Sequence, residues 1–285
     1  MPVKAGALFV VATPIGNLED ITARALRTLR EVSIIAAEDT RRTAHLLARY
    51  AISTPTTSLH QHNEIGKTRP LLERLIAGDN VAIVSDAGTP TVSDPGDHLV
   101  RAAIAAGVRV ESIPGPSAIL AAFAASGLGD GTFSFLGFPP ARGKERRQWF
   151  ERMRLIRGTV VFFEAPHRIR RTLTDLQAAV GDCPVSLGRE LTKTHEELVR
   201  GPISWVLPLV GEPRGEFTVV VDIGLKTENV IGELPDGPGL LAEFGDMTNN
   251  EASSRRDVIS ALSKRYGVPA REIYQRLEAA KKSVD

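Results

Sequence analysis

The chain has 285 residues, 42% of them hydrophobic and 24% charged, with a formal net charge of +1, which allows two domains with real cores plus a tail. The longest apolar runs, such as Leu8 to Ala12, fall far short of the roughly 20 residues of a membrane span, and Met1-Pro2-Val3-Lys4 lacks signal-peptide organisation. The lone cysteine, Cys183, excludes an intramolecular disulfide and a cysteine-built metal site, so a reducing, cytoplasmic setting is expected.

In chain order, Leu8 to Ala12 reads as a buried strand, and a helix is expected from about Leu18 with Ile21, Ala25, Leu26 and Leu29 on one face. Val32 to Ala36 is a second strand, Thr40 to Tyr50 a helix, and Asn63 to Ala77 a helix leading into the strand Val81 to Val84. Pro95 stands where a first helical residue should, with Asp94 as its cap, and that helix is expected to run to Gly107. Val108 to Ile113 is a strand, and Ser117 to Ser126 an alanine-rich helix. This alternation argues an α/β domain, residues 1–118, with a mostly parallel sheet.

Three turns follow strands in the same manner: Ala12 to Leu18, Ser85 to Gly96, and Pro114 to Ala118. Each is built from small residues, prolines and glycines, the composition needed where backbone must approach a ligand at the carboxyl end of a sheet. Three such loops imply one crevice.

Residues 119–225 read as a second α/β domain with a mixed sheet. Its expected strands are Phe133 to Leu136, Thr159 to Phe163, Val185 to Gly188, Glu197 to Val199 and Phe217 to Ile223. Its expected helices are Lys144 to Ile156, Ile169 to Val180 and one near Ile203. Residues 226–250, rich in Gly, Pro and acids, read as a linker. Residues 251–285 read as two helices around Gly267-Val268-Pro269, with Ile259, Leu262, Tyr266, Val268, Ile273 and Leu277 on a seam. That pattern suits a helix-turn-helix and a simple packed hairpin alike.

The near-zero charge hides basic clusters. Arg142, Lys144, Arg146, Arg147, Arg152, Arg154 and Arg157 face only Glu145 and Glu151 in the same stretch, and Arg168, Arg170 and Arg171 follow. A cluster of this kind suits a solvated helix face, and its repetition suits a phosphate-rich partner. Familiar signatures fail on context. Gly127-Leu128-Gly129-Asp130-Gly131 follows a helix rather than a strand. Gly66-Lys67-Thr68 has Gln61 where a phosphate loop needs its first glycine, and His60 and His62 have no carboxylate or cysteine at ligand spacing. No metal site is expected.

Six ordered segments carry a resemblance: Val11 to Leu18, Ala37-Glu38-Asp39-Thr40-Arg41-Arg42-Thr43, Ser85 to Gly96, Pro114 to Ala118, Phe163-Glu164-Ala165-Pro166-His167-Arg168, and Gly188-Arg189-Glu190-Leu191-Thr192-Lys193. Over about residues 5 to 224 the chain resembles the ribosomal RNA small subunit methyltransferase I family. The resemblance implies a two-domain tetrapyrrole-methylase fold (class III methyltransferase) with a small helical extension. It implies S-adenosylmethionine folded between the domains, 2′-O-methylation of a decoding-centre cytidine ribose in 16S rRNA, and a homodimer. Naked 16S rRNA and the small ribosomal subunit both remain open as substrate. The implied cofactor contacts are Pro14, Asp86, Ala87, Gly88, Thr91, Ser93, Ser117 and Ala118, with Phe162, Glu164, Ala165 and Leu187 closing the adenosine side.

Methyl transfer from a sulfonium discharges a cation, so acids are expected away from sulfur. Glu38, Asp39, Glu164 and Glu190 are candidate bases, with Lys193 as an electrostatic helper; each acid equally suits an ion pair with a neighbouring arginine. Arg41, Arg42, Arg142, Lys144, Arg146, Arg147 and Arg168 are candidate contacts to RNA phosphates. Two other readings stand beside this one: a tetrapyrrole or corrin methyltransferase, and a non-catalytic RNA-binding assembly factor.

Overall fold

The computed structural model describes residues 5–211, 214–224, 234–250, 255–266 and 268–282. It divides into two units, 1–223 and 224–285. The first unit holds two five-stranded sheets. The amino-terminal sheet contains β1 (Ala7–Val11), β2 (Ile34–Ala37), β3 (Thr56–Ser58), β4 (Val81–Val84) and β5 (Arg109–Ile113), all parallel, in the order β3-β2-β4-β1-β5. Four helices connect them: α1 (Ala23–Glu31), α2 (Thr40–Arg49), α3 (Glu64–Ile76) and α4 (Asp97–Ala105).

Period-two alternation assigns the faces. Val11, Ile35, Ala37, Ala82 and Val84 pack with Ala25 and Leu29 of α1 and Leu46 and Leu47 of α2. Leu8, Ala36, Val81 and Ile83 point the other way, onto Leu71 and Leu75 of α3 and Leu99 and Ala103 of α4. The connections leaving the neighbouring strands β1 and β4 therefore run to opposite faces. Such a divergence opens a crevice at the carboxyl edge of a parallel sheet.

α5 (Ala118–Ser126) leads to the second sheet, formed by β6 (Phe133–Phe135), β7 (Thr159–Glu164), β8 (Pro184–Arg189), β9 (Glu197–Pro202) and β10 (Phe217–Asp222). Its order is β6-β7-β10-β8-β9, with only β6 and β7 parallel. One face, with Val160, Phe162, Leu187 and Val219, is covered by α6 (Gly143–Leu155), α7 (Ile169–Val180) and α8 (Ile203–Leu209). The other face, with Val161 and Val220, packs on Ile119 and Ala122 of α5, and Ile15 joins this cluster from the amino-terminal sheet's first loop.

Several elements differ from the sequence expectation. Leu18–Asp20 is a single 3₁₀ turn, and α1 begins only after Thr22, whose hydroxyl caps Ala25 N–H. β3 escaped notice because Thr56–Ser58 is only three residues long with no apolar run. α4 begins at Asp97 behind Gly96, at φ +120°, so Asp94 and Pro95 belong to the preceding loop. The buried Glu64 of α3 explains this start: its Oε1 accepts from both Gly96 N and His98 N at 2.9 Å, satisfying helix-end donors that a local cap would otherwise serve. The Gly127–Gly131 run caps α5 and turns into β6; Gly127 is left-handed, and a Cβ on Gly129 would lie 2.3 Å from Thr159 Oγ1.

In the second unit, α9 (Gly237–Asn250) is a helix where a linker was expected; residues 226–233 of that expectation lie outside the described residues. With α10 (Arg255–Tyr266) and α11 (Ala270–Lys282) it encloses Leu240, Phe244, Leu262, Ile273 and Leu277. Among the described residues the unit is thus a three-helix cluster, since α9 supplies the apolar face that a two-helix hairpin would leave uncovered. No described helix is long and apolar enough to cross a membrane.

Candidate functional site

The three strand-end loops of the amino-terminal sheet meet at Gly88. Thr13 and Gly88 exchange backbone hydrogen bonds at 2.8 and 3.0 Å, and the Thr13 hydroxyl also donates to the Ser85 carbonyl at 3.2 Å. A Cβ on Gly88 would sit 3.5 Å from Ile15 Cγ2 and 3.8 Å from the Pro116 carbonyl oxygen, so the β1, β4 and β5 loops are within contact of that point. Pro14 is buried beside them, while Ala87 is exposed. Thr91 and Ser93 hold left-handed backbone, at φ 71° and 67°. Non-glycine residues in that region are strained by about 1–3 kcal/mol each and concentrate at functional turns. Ser117 caps α5 by accepting from Leu120 N at 3.4 Å, which leaves Ala118 in the first turn beside Ile15.

Acids line the β2–β4 side of this edge. Glu38 Oε2 accepts from Asp86 N at 3.1 Å and Asp86 Oδ1 accepts from Asp39 N at 3.0 Å, a reciprocal clasp between two strand ends. Asp39 caps α2 and pairs with Arg41 at 2.7 Å; these hydrogen bonds from Arg41 hold its carboxyl far below the usual carboxylate range. Burial holds Glu38 above its ordinary value, with the Asp86 N–H opposing and the Asp86 charge adding. Burial and the Glu38 charge also push Asp94 up to about 7, against the Ser85 hydroxyl. The sequence reading made Asp94 a helix cap and so missed it at this edge. Arg42 lies 3.5 Å from Asp86 and remains 65% exposed.

From the second sheet, the loop after β8 reaches the loop after β1. Thr192 Oγ1 accepts from Asn17 N at 3.0 Å. A Cβ on Gly16 would fall 2.6 Å from Lys193 Cγ and 2.8 Å from the Leu191 carbonyl. Glu190 and Lys193 are therefore brought next to the β1 loop. Lys193 Nζ donates to Glu190 Oε1 at 2.9 Å and to Glu216 Oε2 at 3.4 Å. The Lys193 hydrogen bond lowers the Glu190 pKa.

Five expected contacts, Phe162, Leu187, Glu164, Arg146 and Arg168, are placed otherwise. Phe162 and Leu187 are buried on the helix-covered face of their sheet, packed among Trp149, Met153 and Val219. Their side chains point away from Ile15. Phe163, the next residue, has its ring on the Ile15 side, a distinction that an all-apolar strand conceals. Arg146 is only 5% exposed: Nε and Nη2 donate to Asp175 Oδ2 at 2.9 and 2.8 Å, and Nη2 also donates to Thr172 Oγ1. Arg168 binds Glu164 Oε1 from Nε at 2.6 Å, and Thr172 holds Glu164 Oε2 at 2.6 Å. With the Glu164 side chain at zero exposure, this network is internal structure rather than a phosphate surface. Ala165 N–H also donates to Glu164 Oε1, at 2.7 Å. Arg142, Lys144 and Arg147, by contrast, are exposed at the start of α6. His60 and His62 stack edge to face at 6.0 Å, and no cluster of three metal-ligating side chains occurs among the described residues.

Residues 7–206 match the family model for tetrapyrrole (corrin/porphyrin) methylases. The chain is 41% identical to ribosomal RNA small subunit methyltransferase I of Synechocystis over 95% of its length and 96% of that protein. It is 41% identical to the Bacillus subtilis protein of the same name over 94% and 93% of the two chains. For the Thermotoga maritima protein the identity is 47%, over 76% of this chain and 98% of that one. Among solved structures, a Thermus thermophilus uroporphyrin-III C-methyltransferase complexed with S-adenosyl homocysteine superposes with TM-score 0.54 at 20% identity, covering 77% of this chain and 97% of that one. A diphthine synthase gives 0.57 at 18%, covering 75% and 89%; both likenesses concern the fold. The chain belongs to the tetrapyrrole methylases and, within them, to the ribosomal RNA small subunit methyltransferase I family.

Proposed function

We propose that the protein transfers the methyl group of S-adenosylmethionine to a ribose 2′-hydroxyl of a decoding-centre cytidine in small-subunit ribosomal RNA, acting in the cytoplasm as a homodimer. The observation that carries this reading is the convergence of three strand-end loops on Gly88. Small side chains there leave backbone N–H and C=O groups to meet a ligand, which suits a sulfonium that fixed dipoles can hold without a carboxylate against sulfur. Pro14, Ala87, Gly88, Thr91, Ser93, Ser117 and Ala118 form the first-sheet side, with Asp86 set back by its clasp with Glu38 and Asp39. Main-chain groups near Ala165 serve the second-sheet side.

S-adenosylmethionine supplies the electrophilic methyl; the protein aligns the hydroxyl with it and accepts a proton. Alignment is the larger contribution to rate. Among the acids, Glu38 suits the proton acceptor: its pKa is raised and its Oε2 makes one backbone bond. Asp39 and Glu190 are held low by Arg41 and Lys193, and Glu164 has both oxygens engaged. The test is incubation with labelled S-adenosylmethionine and unmodified small ribosomal subunits, followed by mapping of 2′-O-methyl groups. Label at one cytidine ribose is expected. Label in a corrin offered in parallel, or in neither acceptor despite calorimetric cofactor binding, overturns the assignment.

A further inference from the structure

Phe138 is an exposed aromatic residue that the site description leaves unused and that sits beside the cofactor edge. The residue is 54% exposed, although the strand it follows is partly buried throughout. It rests against Phe163 at 5.3 Å between centroids, and Phe163 rests against Phe135 at 5.0 Å. The loop that carries it is fixed from below. Gly137 O accepts from Phe163 N at 2.9 Å, Arg168 Nη2 donates to the Pro139 carbonyl at 3.0 Å, and Arg146 Nη1 donates to the Pro140 carbonyl at 3.0 Å. The two arginines that a charge count would send to RNA instead clamp the loop that displays this ring. The loop also adjoins the strained turn after β4: a Cβ on Gly137 would lie 3.4 Å from Ser93 Oγ. Immediately beyond it, Arg142, Lys144 and Arg147 are exposed.

An exposed ring on a rigid support, at the rim of a cofactor edge and followed by solvated cations, has the features of a stacking platform for single-stranded nucleic acid. We infer that Phe138 stacks on an unpaired base of the substrate RNA while Arg142, Lys144 and Arg147 hold the adjoining phosphates. Preorganisation by the arginine clamp means that little ordering cost is incurred when the base arrives. This inference rests on the RNA reading above and names a residue for it.

The experiment compares the parent chain, Phe138→Ala and Phe138→Tyr in binding a short single-stranded RNA carrying one 2-aminopurine, and in single-turnover methylation of small ribosomal subunits. Calorimetry with S-adenosyl homocysteine and sedimentation are run alongside. Phe138→Ala should weaken RNA binding about 5- to 150-fold, the range for losing one stacked base, and should lose the 2-aminopurine quenching. Phe138→Tyr should keep both, and cofactor affinity should not change. Unaltered RNA affinity and quenching in Phe138→Ala, with an active parent, overturns the inference and leaves the function intact. A shift in the monomer–dimer equilibrium without loss of quenching makes the ring a subunit contact and overturns it too. A parent that binds cofactor but no RNA overturns the function itself, and this inference with it.

Discussion

Arg168 Nε donates to Glu164 Oε1 at 2.6 Å, and the Glu164 side chain has no exposure to water. The pair joins the end of β7 to the start of α7, and through the Pro139 carbonyl it also fixes the loop after β6. A buried pair of this kind contributes little relative to apolar replacement, but breaking it strands a charge. Glu164→Ala should cost about 3–5 kcal/mol in urea denaturation. The Glu164→Met, Arg168→Met double variant should lose less than the two single changes added together, as a double-mutant cycle will show.

Gly16 lies where two sheets' loops touch. Gly16→Ala places a methyl against the Leu191 carbonyl and Lys193 Cγ, and main chain cannot swing aside as a side chain can. A loss of about 1–3 kcal/mol is expected from overpacking. S-adenosyl homocysteine affinity, read by calorimetry, should fall with it because Ile15 and Gly88 shift together. Wild-type affinity and melting temperature would remove this contact from the site.

Burial and the Glu38 charge push the Asp94 carboxyl up to about 7, well above the ordinary carboxylate range. A carboxyl that binds its proton more tightly when folded lowers stability as pH rises, here progressively from about 4 to 7 and fully above. Asp94→Asn should therefore stabilise the protein at pH 8, by about 1–2 kcal/mol after discounting for water access. The gain should vanish below pH 4. Thermal melts at both pH values check the sign.

Glu38 and Glu190 separate by basicity. In single-turnover methylation at saturating cofactor, Glu38→Gln should slow the chemical step about 10²- to 10⁴-fold. Glu190→Gln, whose parent carboxylate is already held by Lys193, should change it by only a few-fold. The reverse order would move the proton acceptor to the second sheet.

Arg146 and Arg147 are adjacent in sequence and should behave oppositely. Arg147→Gln should reduce the salt slope of RNA binding by about 0.7 for one lost phosphate contact to a single strand, with stability unchanged. Arg146→Gln should leave the slope alone and lower stability, because Asp175, Thr172 and the Pro140 carbonyl lose their partner.

The α/β alternation was legible because its signals are local. Apolar runs such as Val81–Val84 and the small-residue turns after β1, β4 and β5 each act within a few residues of chain. The short β3 carried no such signal. The start of α4 was misplaced because its donors are served by Glu64, which is 32 residues away from Gly96 in the chain.

The sequence by itself determined most elements of the two sheets, the three strand-end turns and the family, since these rest on pattern along the chain. Tertiary structure alone decided which of two like neighbours meets water or ligand. Successive helical residues point about 100° apart, so Arg146 is enclosed beneath α7 while Arg147 faces solvent. Successive strand residues point to opposite faces, so Phe162 enters the core and Phe163 turns toward Ile15 and supports Phe138. Both alternations are visible in the sequence, but which phase faces inward is set by the partner surface that the fold brings across.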